Sequence, residues 1–198
     1  MRYFVIAGHR ALADGSFKLD DIAGGAGRLD ILCRCVNSAF MTSHGIRKDA
    51  EVYLVLEGGE DAPKTVRIDG HSVLYLNPDE RSTASLIRNA LLKKVAPGQE
   101  VRSSPGVSVS RDGFADVIRK LAGRGSLVYL RENGGDVRGF EFPEDPVFVM
   151  GDNSDLTEEE ESEVLAHSPS EISLGPVSLH ADHCIIVANN ELDRRAVR

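Results

Sequence analysis

The sequence contains no tryptophan, only three cysteines, and no apolar run near the roughly 20 residues that a membrane-spanning helix requires. A membrane span therefore has no support, and the opening MRYFVIAGHRALADG turns polar too soon for a secretory signal, so a cytoplasmic protein is expected. Cys33, Cys35 and Cys184 are odd in number, and the first two fall on one expected helix, where a mutual bridge is geometrically awkward. Reduced thiols are expected. The chain also lacks G-x-G-x-x-G between a strand and a helix, and it lacks G-x-x-x-x-G-K-[ST], which removes the usual dinucleotide and nucleoside triphosphate cradles. Neither C-x-x-C nor H-E-x-x-H occurs, and no metal is expected. Ser16, Ser126 and Ser178 have no nucleophile-elbow context, which disfavours a hydrolase.

Positive charge is scarce as well. Lys and Arg total 23 against 31 Asp and Glu, a net charge of −8 that argues against a uniformly basic nucleic-acid binder. Seven of the acids lie between Asp152 and Glu163 with no base among them, so the remaining surface is nearly balanced and has room for a basic face. What is present is ordinary globular material, 41% hydrophobic and 27% charged, in a length that suits one domain over residues 1–198.

Periodicity supplies the element order. Arg2 to Ala7 reads as a buried strand, followed by a glycine-rich loop with AGGAG at Ala23 to Gly27. Leu29, Leu32, Val36, Ala39 and Phe40 recur at helical spacing. Glu51–Leu56, Thr65–Ile68 and Val73–Leu76 read as short strands. Ser82 is expected to cap a helix bearing Leu86, Ala90, Leu91 and Val95, and Asp112 to cap another bearing Phe114, Val117, Ile118 and Leu121. Strands at Ser126–Leu130, Pro146–Met150 and Glu171–Leu174, an acidic helix capped by Thr157, and an amphipathic helix through Ala181, Ile185, Ala188 and Leu192 complete the chain. Strands alternating with helices predict an α/β fold with a mostly parallel sheet. Ligands in such sheets bind at the carboxyl ends of strands, which directs attention to LRENGGD, VMGDNSD and SLGPVSLHADHC. By spacing alone these are also ordinary tight turns.

The segments PVFVMGDNSDLTEEE and ISLGPVSLHADHCIIVANNELDR, with RYFVIAGH and GRLDILCRCVNSAF, closely resemble the archaeal tRNA pseudouridine-54 N1-methyltransferases of the SPOUT superfamily. That resemblance implies S-adenosyl-L-methionine as methyl donor, tRNA as substrate, a homodimer, and a trefoil knot in the C-terminal third, with the knot and donor region at about 126–198. Carried over residue by residue, it implies donor contacts from Leu130, Gly151, Leu174, Gly175, Pro176, Val177, Ser178, Leu179 and Cys184. It also implies a catalytic Arg28 and Asp30, the former gripping a carbonyl or phosphate and the latter accepting a proton or orienting the base. A helix-terminal charge is the plain alternative for Asp30. Arg34, Arg47, Lys48, Arg111, Arg119, Lys120 and Arg124 are expected on tRNA phosphates or on a solvated surface. Methylation of a ribosomal RNA pseudouridine, or non-catalytic binding of RNA or donor, remains open at this stage.

Overall fold

In strand β1 (Arg2–Leu12) every residue from Phe4 to Ala7 is buried, which requires packing on both faces. Phe4 and Ile6 join one hydrophobic cluster while Val5 and Ala7 join a second, as the two-residue period of a strand dictates. The computed structural model describes residues 1–196. After β1 come α1 (Leu29–Phe40), the two-residue strands β2 (Met41–Thr42) and β3 (Gly45–Ile46), β4 (Ala50–Gly58), β5 (Lys64–Asp69) and α2 (Glu80–Leu91). The remainder holds β6 (Glu100–Ser104), β7 (Val107–Ser110), α3 (Phe114–Ala122), β8 (Ser126–Asp136), β9 (Pro146–Gly151), α4 (Glu158–Ala166), β10 (Ser170–Ser173) and α5 (Ala181–Ala196).

Eight strands form one sheet in the order β10-β8-β9-β1-β4-β5-β7-β6. From β10 to β4 all neighbours are parallel, as expected, and β5, β7 and β6 extend the sheet antiparallel. Residues of α1, α2 and α5 cover the Phe4 face, and residues of α3 and α4 cover the other. The first strand also clasps the last helix. Arg2, 7% exposed, donates from Nη1 to Asn189 and Asp193, both at 2.9 Å, and from Nη2 to Asp49 at 2.7 Å.

Three expectations change. Val73–Leu76 is not a strand: Val73 N bonds back to Asp69 O, Tyr75 has φ 63 and is exposed, and only Val73 and Leu76 turn inward. The hairpin β6–β7 went unexpected although Pro105-Gly106 marks its turn, with Gly106 at φ 72. Two caps move upstream or downstream by a few residues. Asp79, not Ser82, caps α2 by accepting from Ser82 N at 2.8 Å; Gly113 precedes α3, and Asp116 accepts from its N–H at 3.2 Å. Thr157 caps α4 as expected: its Oγ1 accepts from Glu160 N at 3.3 Å while Glu160 accepts from Thr157 N at 2.7 Å.

Candidate functional site: a cavity at the carboxyl ends of the parallel strands

Strand β8 pairs with β10 in a broken register, Tyr129 opposite Glu171 and then Gly135 opposite Ile172. Residues 130–134 of β8 therefore bulge out of register with β10, and Leu130, Arg131, Glu132 and Asn133 form a wall of a cavity. Opposite stand the turn after β9, residues 151–156, and the segment from Ser173 to Cys184 that joins β10 to α5. Together with the start of α1 they enclose a cavity of about 680 Å³, within the size range of small-molecule sites.

Leu130, Gly151, Leu174, Gly175, Val177, Ser178, Leu179 and Cys184 all line this cavity, whereas Pro176 does not. Pro176 is exposed. The cavity also draws Arg28, Ile31 and Arg34 from outside residues 126–198. At Gly151 a Cβ would stand 2.0 Å from Ser154 O, so glycine is demanded by the loop's own backbone before any ligand arrives. Cys184 Sγ sits 3.8 Å from Leu179 O, and burial pushes its thiol up to about 11, leaving a neutral, weakly polar contact. The other two thiols are buried and free.

On one wall a chain of charges runs from α1 to α5. Arg28, the residue before α1, has φ 70, a left-handed conformation rare for a side-chain-bearing residue, and follows Gly27 at φ 65. A Cβ on Gly27 would lie 1.7 Å from Arg10 O, so the approach to α1 is fixed. The turn delivers the guanidinium to Asp30 as a fork, Nε to Oδ1 at 3.0 Å and Nη2 to Oδ2 at 3.1 Å. Arg34 Nη1 adds a contact to Oδ2 at 3.0 Å, and its Nε lies 3.9 Å from Asp182 Oδ2. Burial alone would raise the Asp30 pKa, but the hydrogen bonds from Arg28 and Arg34 outweigh it and hold the carboxyl below the ordinary range. An ionised carboxylate with both oxygens engaged orients arginines well and accepts protons poorly.

On the other side lies a cluster that the sequence did not reveal. His9 of β1 stands with Nδ1 3.3 Å from Asp152 Oδ1 and Nε2 2.9 Å from Glu160 Oε2, and Glu57 of β4 approaches the same spot. Asp152 lines the cavity, and its Oδ1 also accepts from Asn153 N and Ser154 N at 2.7 and 3.1 Å. Hydrogen bonds to Asp152 and then Glu160 raise His9 to about 10, so it is an imidazolium at neutral pH. Burial, then the Glu160 charge, raises Glu57 to about 7. The only available signal was position: His9, Glu57 and Asp152 all fall toward the carboxyl ends of parallel strands.

The basic residues expected on phosphates are largely occupied. Arg47 forks onto Asp193 at 2.9 and 2.7 Å, Arg119 meets Glu163 at 2.9 Å, Lys120 meets Asp112 at 2.6 Å, and Arg111 pairs with Asp61. Arg124 donates to the Tyr53 hydroxyl at 3.3 Å, and Lys48 is exposed without an ion-pair partner among the described residues.

A mostly parallel sheet with a ligand-sized cavity at its strand ends defines an α/β fold of the kind that binds small molecules there. Residues 1–197 match the family described as "Putative SAM-dependent RNA methyltransferase", and the chain belongs to that family. The tRNA (pseudouridine(54)-N(1))-methyltransferase of Methanococcoides burtonii is 48% identical over 196 residues, covering 98% of this chain and 96% of the relative. That of Haloferax volcanii is 50% identical over 195 residues, with 98% and 96% covered. In fold the chain is similar to Archaeoglobus fulgidus Nep1 bound to S-adenosylhomocysteine, with a TM-score of 0.67 at 16% identity, covering 100% of this chain and 98% of the other. Among the described residues no helix is long and apolar enough to cross a membrane.

Proposed function

We propose that this protein transfers a methyl group from S-adenosyl-L-methionine to N1 of pseudouridine at position 54 of tRNA, in the cytoplasm. The observation that carries the reading is the cavity: loops that the sequence assigns to the donor converge on one space of suitable volume at the strand ends. Relatives nearly half identical over almost the whole chain bear the same activity in their names. Leu130, Leu174 and Leu179 offer an apolar surface, and exposed backbone at Gly151 and Gly175 offers polar groups, a combination suited to adenine and a thioether. The donor fits this lining and supplies an activated methyl on a sulfonium. No metal is proposed.

The chain's own contribution is alignment and charge. Arg28, 41% exposed at its side chain and aimed by Asp30, meets a carbonyl of the acceptor ring or its phosphate. Asp30 is a positioning residue for Arg28 rather than a base, because its lone pairs already serve two arginines. The single domain is proposed to carry a trefoil knot at its C-terminal end. Support comes from β10 returning beside β8 after β9 and α4, followed by α5 on the opposite face. Such threading is a rare exception among folds. Val177, Leu179 and Ile186 are exposed apolar residues around the same loops, and a second copy of the chain is proposed to cover them as a homodimer. Light scattering at micromolar concentration checks the dimer.

The decisive assay is labelled donor with tRNA transcripts carrying uridine or pseudouridine at position 54, followed by mass mapping. Only pseudouridine offers a free N1, since uridine uses that nitrogen in its glycosidic bond. Equal labelling of both transcripts would sink the substrate assignment, and calorimetry with S-adenosylhomocysteine tests donor binding separately.

A further inference from the structure

Three carboxylates approach Arg34, those of Asp30, Glu80 and Asp182, and the first and last of them differ in one respect. Asp30 has both oxygens engaged by guanidinium groups. Asp182, in the first turn of α5, is 7% exposed and lines the same cavity, yet its Oδ1 receives no hydrogen bond among the described residues. Its Oδ2 has only long charge contacts, 3.9 Å to Arg34 Nε and 3.7 Å to His183 Nε2. Buried polar atoms are almost always satisfied, and one left open beside a ligand cavity points to a donor that arrives with the ligand.

We propose that Asp182 is the catalytic residue that accepts the N1 proton of the acceptor ring, an assignment that rests on the pseudouridine reading above. In pseudouridine the N1–H lies next to the C2 carbonyl, so the ring edge presents a donor beside an acceptor. The neighbouring Arg34 and Asp182 present the complementary pair, a cation beside a carboxylate with a vacant oxygen. During transfer the N1–H bond breaks with its electrons remaining on nitrogen, and the proton passes to the carboxylate. The new N1–methyl bond forms as the methyl–sulfur bond breaks, its electron pair going to sulfur. A positive sulfonium and a negative carboxylate disappear together, leaving a neutral thioether and a carboxylic acid, so no net charge accumulates in the cavity. Asp182 then returns its proton to water.

The test is Asp182→Asn, which keeps size and an acceptor oxygen but cannot take the proton. Saturating donor, tRNA with pseudouridine at position 54, and a pH series are used, alongside calorimetry with S-adenosylhomocysteine. Turnover is expected to fall about 100-fold at neutral pH, the scale of a lost general base, with S-adenosylhomocysteine affinity changed by about twofold or less. The variant's rate is expected to climb with pH as N1–H ionises unaided, while the parent enzyme levels off. Asp182→Glu retains a carboxylate and is expected to recover part of the rate and the plateau. Near-parental turnover in Asp182→Asn overturns the assignment, as does lost S-adenosylhomocysteine affinity with turnover intact at saturating donor. If the Asn variant does not fold, a folded Glu variant that binds S-adenosylhomocysteine yet has no activity or plateau overturns it too. Failure of the parent enzyme to methylate the pseudouridine transcript would instead sink the substrate reading.

Discussion

The two charged walls of the cavity solve opposite problems. On the α1 side, Arg28 and Arg34 meet Asp30, Glu80 and Asp182, and the Arg28 guanidinium is partly open to incoming ligand. On the β1 side, three carboxylates share a single imidazolium, and Asp152 and Glu160 are almost wholly buried. The first arrangement leaves charge available for chemistry, whereas the second uses charge to hold a loop. His9 ties Asp152, whose carboxylate shapes the turn after β9, to Glu160, whose carboxylate caps α4. Proximity to a cavity therefore does not by itself distinguish a reactive group from a strut; the number of uncommitted lone pairs or protons does.

Removing Arg28 tests the division most sharply. Arg28→Ala is expected to lower turnover on the order of 100-fold, the usual loss for a preorganised electrostatic donor, while S-adenosylhomocysteine affinity measured by calorimetry stays nearly unchanged. If the residue grips phosphate instead, tRNA affinity and its salt dependence fall while saturated turnover holds. The strut side should respond in stability rather than rate. His9→Ala strands two buried carboxylates and is expected to cost about 3 kcal/mol, read from urea denaturation at pH 7.

Asp30→Asn should sit between these, with turnover reduced roughly tenfold through a loosened Arg28 and donor affinity preserved. A pH profile that keeps its parental shape in this variant marks Asp30 as an orienting group; a lost limb would make it a base. Glu57→Gln is the mildest change. Because the Glu57 pKa is raised to about 7, its protonated form favours the folded state, and that contribution is lost as pH rises from about 4.5 through 7. His9, raised to about 10, loses its contribution as pH climbs from about 6.5 through 10. Stability should thus decline in two stages, and Glu57→Gln should abolish the lower stage and stabilise the fold by about 1 kcal/mol at pH 8. A single-stage decline in the parent protein would break the assignment.

Legibility followed the range of the interactions. Elements whose pattern is local, such as β1, α1, β9 and the Thr157 cap, were readable from periodicity and capping chemistry. The antiparallel arm escapes a local reading, because Val73 to Leu76 has the composition of a strand while the polar VRSSPGVSVS is a hairpin whose burial comes from β5 and α2. The loops that line the cavity were visible through their long resemblance to a family, and their convergence required the broken register of β8 and β10. His9 and Glu160 are separated by 151 residues, and their meeting depends on β9 lying beside β1. No spacing rule reaches that far.

The clasp between Arg2 and α5 has a bearing on how the molecule is made. Arg2 leaves the ribosome before its partners, and Asn189 follows 187 positions later. Until then the buried guanidinium has no settled environment, the Phe4 face lacks its α5 cover, and the cavity lacks the wall from Leu179 to Cys184. Contacts of such separation form slowly and leave apolar sheet exposed in the interim. The cavity at the strand ends is therefore incomplete at every stage of elongation before α5 emerges. A ligand of that cavity binds only a molecule with α5 in place, and adds to its stability by mass action.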